Sequence, residues 1–244
     1  MNLSAETATG DSRWRDLYRL GGVTALVIAV LLLGELVVYA LLPRPKTALA
    51  HFEVFQDNWL KGLLTLDLLG MLAYLLFIPT ILAFYVSLRR TSEAAMAVAT
   101  VLFFLGVADF FATNTAFPVL TLSREYAAAT SDVDRARMLA AGQAMFTLFN
   151  ENAFLVSYVI VSAAWLMIGA VMLRSSVFSR LTAWSGLLAG AAGIVAVVLE
   201  HVSGRHTVLA VSIAFYFAAI VFLLLWVTLA GRRLYQLGTP VAAT

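Results

Sequence analysis

Apolar residues in this chain come in long unbroken runs, not in the alternation of strands or the narrow stripes of soluble helices, and polar residues collect between the runs. Six runs exceed the roughly 18 residues that mark a helix able to cross a bilayer. They cover approximately Leu20–Leu42, Gly62–Leu88, Ala94–Leu120, Ala144–Leu173, Leu181–Gly204 and Thr207–Gly231. Helix is the expected state because lipid offers no partners to backbone N–H and C=O groups, whereas a helix satisfies its own. The pattern predicts an all-α fold, a polytopic membrane bundle of six transmembrane helices. Residues 1–19 form one tail, 20–231 the membrane domain and 232–244 a second tail.

The connections divide into two kinds. Those on one side are short, whereas the first two on the other side are longer and amphipathic. After Pro43-Arg44-Pro45, the spacing of His51, Phe52, Phe55 and Trp59 suits a helix lying in the membrane interface. Further on, Ser131-Asp132-Val133-Asp134 reads as a capping box that opens a helix running into the fourth span. Both segments are placed to roof a cavity. Within the spans, Gly186, Gly190 and Gly193 form a small-residue stripe that lets a neighbouring helix come close. Pro79 is expected to kink the second span, and Trp14 and Trp59 to anchor at the interface.

Composition strengthens the membrane reading. Of 244 residues, 62% are hydrophobic and 12% charged, and the mean hydropathy is +0.91, against roughly 45–50% apolar and about 25% charged in soluble domains. Little chain remains for a separate soluble domain. The first run follows Arg13, Arg15 and Arg19 but is far longer than the roughly 7–15 apolar residues of a secretory signal, so it reads as an uncleaved anchor. Cysteine is absent, which excludes disulfides, thiolate metal ligands, iron–sulfur ligation and thiol catalysis. The two lysines, Lys46 and Lys61, both sit near helix ends and argue against a retinal Schiff base inside the bundle. No cofactor is expected.

Charge distribution predicts orientation. Arg13, Arg15, Arg19, Arg89, Arg90, Arg174, Arg180, Arg232 and Arg233 fall on one side, which the positive-inside rule assigns to the cytoplasm. Both termini then lie inside. On the opposite side the basic residues are mixed with Glu53, Asp57, Glu125, Asp132 and Asp134.

The candidate chemistry is carried by polar residues inside the spans. At 1.5 Å per residue, Glu35 lies roughly 24 Å beyond Arg19, in the outer third of a hydrocarbon layer about 30 Å thick. Asp67 follows Lys61 by six residues, Asp109 follows Arg90 by 19, Glu151 precedes Arg174 by 23, and Glu200 follows Arg180 by 20. The straight-helix ruler thus sets five carboxylates at similar depth, with Asn114, Asn150, Asn152 and His201 beside them. A carboxylate at mid-helix costs about 2.5–3.5 kcal/mol on insertion scales, so these are expected to face the bundle or a wet cavity. Phe110, Phe111 and Phe117 near Asp109, and Phe146, Phe149 and Phe154 near Glu151, would make the surroundings apolar. An acid at one end of an apolar pocket is how a protein would hold a lipid or isoprenoid chain while offering it a proton.

The leading expectation is therefore a membrane protein whose acidic intramembrane cavity opens outward to a membrane lipid or apolar small molecule, and within that class an intramembrane enzyme acting by acid–base chemistry on a lipid or isoprenoid. Asp109 and Glu151 are its acid–base candidates, Asn114 and Asn150 orient them, and Glu35 and Asp67 complete the site. One alternative is a proton- or cation-coupled transporter, although the inner half of the spans offers few polar groups for a pathway. Another is an accessory or sensor subunit whose polar layer only hydrogen-bonds across helix interfaces, at about 0.6 kcal/mol per contact. His51, His201 and His206 could join carboxylates around a metal, but no HExxH or HxxxH spacing supports one. Gly-rich phosphate loops, nucleophile elbows and nucleic-acid-binding basic patches are likewise missing, so no nucleic-acid partner is expected.

One stretch carries a resemblance. Ser175-Ser176-Val177-Phe178-Ser179-Arg180-Leu181-Thr182-Ala183-Trp184-Ser185-Gly186-Leu187-Leu188-Ala189-Gly190, together with the opening Tyr18-Arg19-Leu20-Gly21-Gly22, resembles a large family of uncharacterised bacterial integral membrane proteins. The resemblance implies a protein of the bacterial inner membrane and brings no activity or catalytic residue with it.

Overall fold

The computed structural model of the chain describes residues 12–42, 45–202 and 206–239, with the side chains of 12, 151–154 and 201–210 outside the description. Among these residues every regular element is helical. A single 3-10 turn, Ser12–Trp14, leads into α1 (Arg15–Leu41). Two short helices follow, α2 (Ala48–Asp57) and α3 (Trp59–Thr65), then α4 (Leu68–Leu88) and α5 (Glu93–Thr113). Next come α6 (Ala116–Ala128) and α7 (Asp132–Leu148), which passes through π-helical turns at Phe149–Val156 into α8 (Ser157–Leu173). The chain ends in α9 (Arg180–Val202) and α10 (His206–Gly238).

Five stretches of the described residues are long and apolar enough to cross a membrane: Arg15–Leu41, Leu68–Leu88, Glu93–Ala128, Arg180–Glu200 and Val211–Gly238. They mark a membrane protein. Ser157–Leu173 is apolar but shorter, because the run expected over Ala144–Leu173 changes helix type on the way. On α1, Tyr18, Ala25 and Ile28 are buried while Val23, Val27, Val30 and Val37 are exposed. That division gives one face to protein and the other to lipid.

The described chain divides into two compact units. The first comprises residues up to Val30, Ala73–Val107 and Tyr158 onward; the second comprises Leu31–Leu72 and Ala108–Ser157. In the first unit the glycine stripe works as expected. A Cβ on Gly190 would lie 2.5 Å from the Ser162 carbonyl oxygen, and one on Gly186 would lie 2.7 Å from Nε1 of Trp226. Helix α4 runs through Pro79 without a break. One residue on, the buried Thr80 hydroxyl bonds to Thr24 Oγ1 at 2.9 Å and donates to the Gly21 carbonyl at 3.1 Å, tying α4 to α1.

The second unit is built on α2, α6 and α7. Ser123 Oγ donates to the Phe52 carbonyl at 3.0 Å, and Phe52 packs over Gly142. Ser131 caps α7, its Oγ accepting from Asp134 N at 3.1 Å and donating to Asp134 Oδ2 at 2.6 Å. Truncating this cap, Ser131→Ala, is expected to cost about 1 kcal/mol in thermal unfolding of the solubilised protein.

Two breaks depart from the straight-span expectation. His51, Phe52 and Phe55 share the buried face of α2, but Trp59 starts a separate helix and is 54% exposed. Asn58 divides them, because its extended backbone lets its side chain accept from Leu60 N and Lys61 N and cap α3. The run Gly62–Leu88 is interrupted in the same way at Asp67, whose φ of 69° is left-handed. Aspartate tolerates that region better than most residues.

Candidate functional site

Glu35, Asp67, Asp109, Asn114, Asn150 and Glu151 all belong to the second unit, whereas Glu200 and His201 of the expected polar layer belong to the first. Within the second unit the settings differ. Glu35 is partly exposed on α1, and Asn150 is exposed.

Asp67 precedes α4, and its carboxylate lies directly against Gly70 in the first turn, where a Cβ would collide with all three carboxylate atoms. A negative group at this position faces the positive end of the helix dipole. Asp67 is therefore at a helix start, not inside an unbroken span. Asn114 has a comparable place at the break between α5 and α6. Its Oδ1 accepts from Ala116 N at 3.0 Å, while its Nδ2 is buried without a partner among the described residues.

Asp109 is different, because its partner comes from another part of the chain. Half-buried near the end of α5, it accepts a hydrogen bond from Ser157 Oγ at 2.7 Å, and Ser157 is wholly buried. Thr113 Oγ1 also donates to the Asp109 carbonyl at 2.7 Å. Phe110 is buried beside it, with Phe111 edge-on at 5.7 Å; Phe117, expected near this acid, is 52% exposed.

Ser157 is the first residue after the π-helical turns Phe149–Val156. Such turns are rare and occur often at functional sites, since they break the regular i to i+4 bonding and redirect the side chains they carry. Here they carry Asn150, Glu151 and Asn152. The backbone of Glu151 is thus placed, whereas its side chain and that of Asn152 lie outside the described residues.

Among the described residues no three of His, Asp and Glu come together closely enough to hold a metal. His51 is buried and stacked on Phe146 at 4.1 Å between ring centroids. The side chains of His201 and His206 lie outside the description. Glu200, in the first unit, is exposed and accepts from Tyr216 OH at 2.7 Å.

The arrangement offers a half-buried carboxylate and a buried hydroxyl already aligned to it. Sequence reasoning missed Ser157, a small hydroxyl among the many that hydrophobic spans tolerate. The only signal for it was its place six residues past Glu151.

Residues 20–231 match the family described as domain of unknown function DUF4386. No curated protein and no solved structure matches the chain.

Proposed function

We propose, for a chain that belongs to the family defined by the domain of unknown function DUF4386, the work of an intramembrane enzyme that moves a proton on a lipid or isoprenoid chain. Asp109 is the acid–base group and Ser157 holds it, at the end of the π-helical turns whose backbone carries Asn150 and Glu151. In this reading the protein lies in the bacterial inner membrane with six spans and both termini in the cytoplasm. The fourth span is α7, the π turns and α8 taken together, and the arginines of the first unit mark the cytoplasmic end.

One observation carries the proposal: the 2.7 Å bond from a fully buried serine to the Asp109 carboxylate, made where the helix changes type. A carboxylate needed only for solubility would face water. This one is aligned by a group from a distant part of the chain, as a residue held for proton transfer has to be.

The test uses purified protein with an inner-membrane lipid extract and a polyprenol as probes, followed by mass spectrometry of bound and converted species. Asp109→Asn keeps an acceptor for Ser157 but cannot exchange a proton, so conversion is expected to fall about a hundredfold or more with little change in melting temperature. Unchanged conversion would rule out Asp109 as the acid–base group.

A second reading, a non-catalytic accessory subunit, draws on the local roles of Asp67 and Asn114 at the starts of α4 and α6. It predicts that no probe is converted by the wild type and that Asp109→Asn changes stability alone.

A further inference from the structure

We propose that the arginine-rich end of the first unit is a binding surface for the headgroups of anionic phospholipids. The surface is assembled from helix ends that are far apart in sequence. Arg13, Arg15 and Arg19 stand at the start of α1, and Arg89 and Arg90 follow α4. Arg174 and Arg180 flank the connection from α8 to α9, and Arg232 and Arg233 lie in the last turns of α10.

Contacts within the unit bring these ends together. The Arg89 guanidinium lies 5.8 Å over the ring of Trp14, which joins the end of α4 to the start of α1. Gly238 packs directly on Arg19, which adds the end of α10. Arg233 Nε donates to the Val177 carbonyl at 2.8 Å, which adds the connection between α8 and α9. Among the described residues nine arginines share this end with two acids of the same stretches, Asp16 and Glu93. Seven of the nine are exposed, Arg89 and Arg233 being half-buried by the contacts just described.

The choice of residue points to the ligand. Every basic side chain here is arginine, whose planar fork binds phosphate through two parallel N–H bonds; lysine would supply only a point charge. Trp14, beside Arg89, is the residue type that sits at headgroup level. In the second unit three basic groups are paired with acids of their own helix or turn: Lys61 with Asp57 at 3.1 Å, Arg137 with Asp134 at 3.4 Å and Arg135 with Asp132 at 3.9 Å.

The experiment is native mass spectrometry of the full chain in mild detergent with equal amounts of phosphatidylglycerol and phosphatidylcholine. Basic side chains at an anionic surface each contribute about a fivefold preference, so the wild type is expected to retain phosphatidylglycerol at least that strongly over phosphatidylcholine. The triple variant Arg174→Gln, Arg180→Gln, Arg232→Gln spares the two half-buried arginines and is expected to approach parity. The matching lysine variant should fall between, because it keeps charge and loses the fork. Arg124→Gln, Arg135→Gln and Arg137→Gln together should leave the preference intact.

Equal retention of the two lipids by the wild type would overturn the proposal, as would an undiminished preference in the glutamine triple variant. Displacement of phosphatidylglycerol by millimolar inorganic phosphate would show a free-anion site instead and also overturn it. Should the triple variant fail to fold, a salt titration of the wild type decides: the preference must shrink as salt rises, and indifference to salt refutes the surface.

Discussion

Gly190→Leu is expected to destabilise the protein by about 3 kcal/mol, the upper end of what overpacking a close-fitted interior costs, and to lower its melting temperature in detergent accordingly. The reason is which atoms are in the way. A Cβ at 190 would meet the Ser162 carbonyl oxygen at 2.5 Å and Leu166 N at 2.9 Å, both backbone atoms of α8. Helix backbone cannot turn aside as a side-chain tip can. The contact is also reciprocal, because a Cβ on Gly169 of α8 would lie 2.7 Å from Leu187 N and 3.0 Å from the Ala183 carbonyl oxygen on α9. Two helices that touch through glycines from both sides gain most of their association from close packing, since lipid supplies no hydrophobic drive to hold them. Gly34→Ala is the control. Its Cβ would make an ordinary 3.4 Å contact with Leu69 Cδ1, and alanine is favoured over glycine within a helix by roughly 0.5–1 kcal/mol, so that variant should melt at or above the wild-type temperature. Equal melting of Gly190→Leu and wild type would mean that α8 and α9 do not approach as described.

That stripe was legible in the sequence, as were several helix ends. Leu88 and Leu173 were expected ends and are observed ends, and the run expected from Leu181 starts at Arg180, its expected end Gly204 lying outside the described residues; the run expected from Leu20 starts earlier, at Arg15. Length of apolar run is enough to place such helices, because in lipid the chain has no other way to pair its backbone. The last helix was expected to stop at Gly231 and runs on to Gly238. Hydropathy ends where charge begins, at Arg232, but an arginine is a good helix former and does not end a helix.

The interruptions were hidden for a related reason. Averaged over a whole span, one Asp67 or one Asn114 hardly alters hydropathy, yet each sits where the chain leaves one helix and starts another. Both are residue types that cap helices and compete with their interior. This changes the meaning of the depth arithmetic, which multiplies a constant rise by residue number and holds only while one α-helix continues. The ruler fails at Asp67, which starts a helix, and again between Arg174 and Glu151, where the π-helical turns intervene. It holds up to Asp109 only from Glu93, where α5 begins, and not from Arg90 in the turn before it. What the sequence could convey was that acids inside spans need a reason. Which reason applies depends on a neighbour such as Ser157, 48 positions away, and no spacing rule links such a pair.

Trp226→Ala is expected to have the other large effect, about 3 kcal/mol or more, within the range for emptying a large aromatic site in a packed core. Trp226 is wholly buried. Its ring lies 5.2 Å from Phe84 and 6.4 Å from Trp165 between centroids, and its Nε1 donates to Met172 Sδ at 3.3 Å. One side chain on α10 thus touches α4 and α8, and it also occupies the space that the absent side chain of Gly186 leaves on α9. Removing it forfeits contacts with three helices together, and the surrounding backbone can close only part of the hole. A larger residue at 186 would clash with the indole in the wild type, so Gly186→Leu alone should be destabilising. In the Trp226→Ala background the same leucine has room and should restore part of the loss, giving a coupling of roughly 1–3 kcal/mol in a double-mutant cycle. Additive effects of the two changes would show that Gly186 and Trp226 do not share that space, and a Trp226→Ala variant melting with the wild type would remove the indole from the core of the first unit.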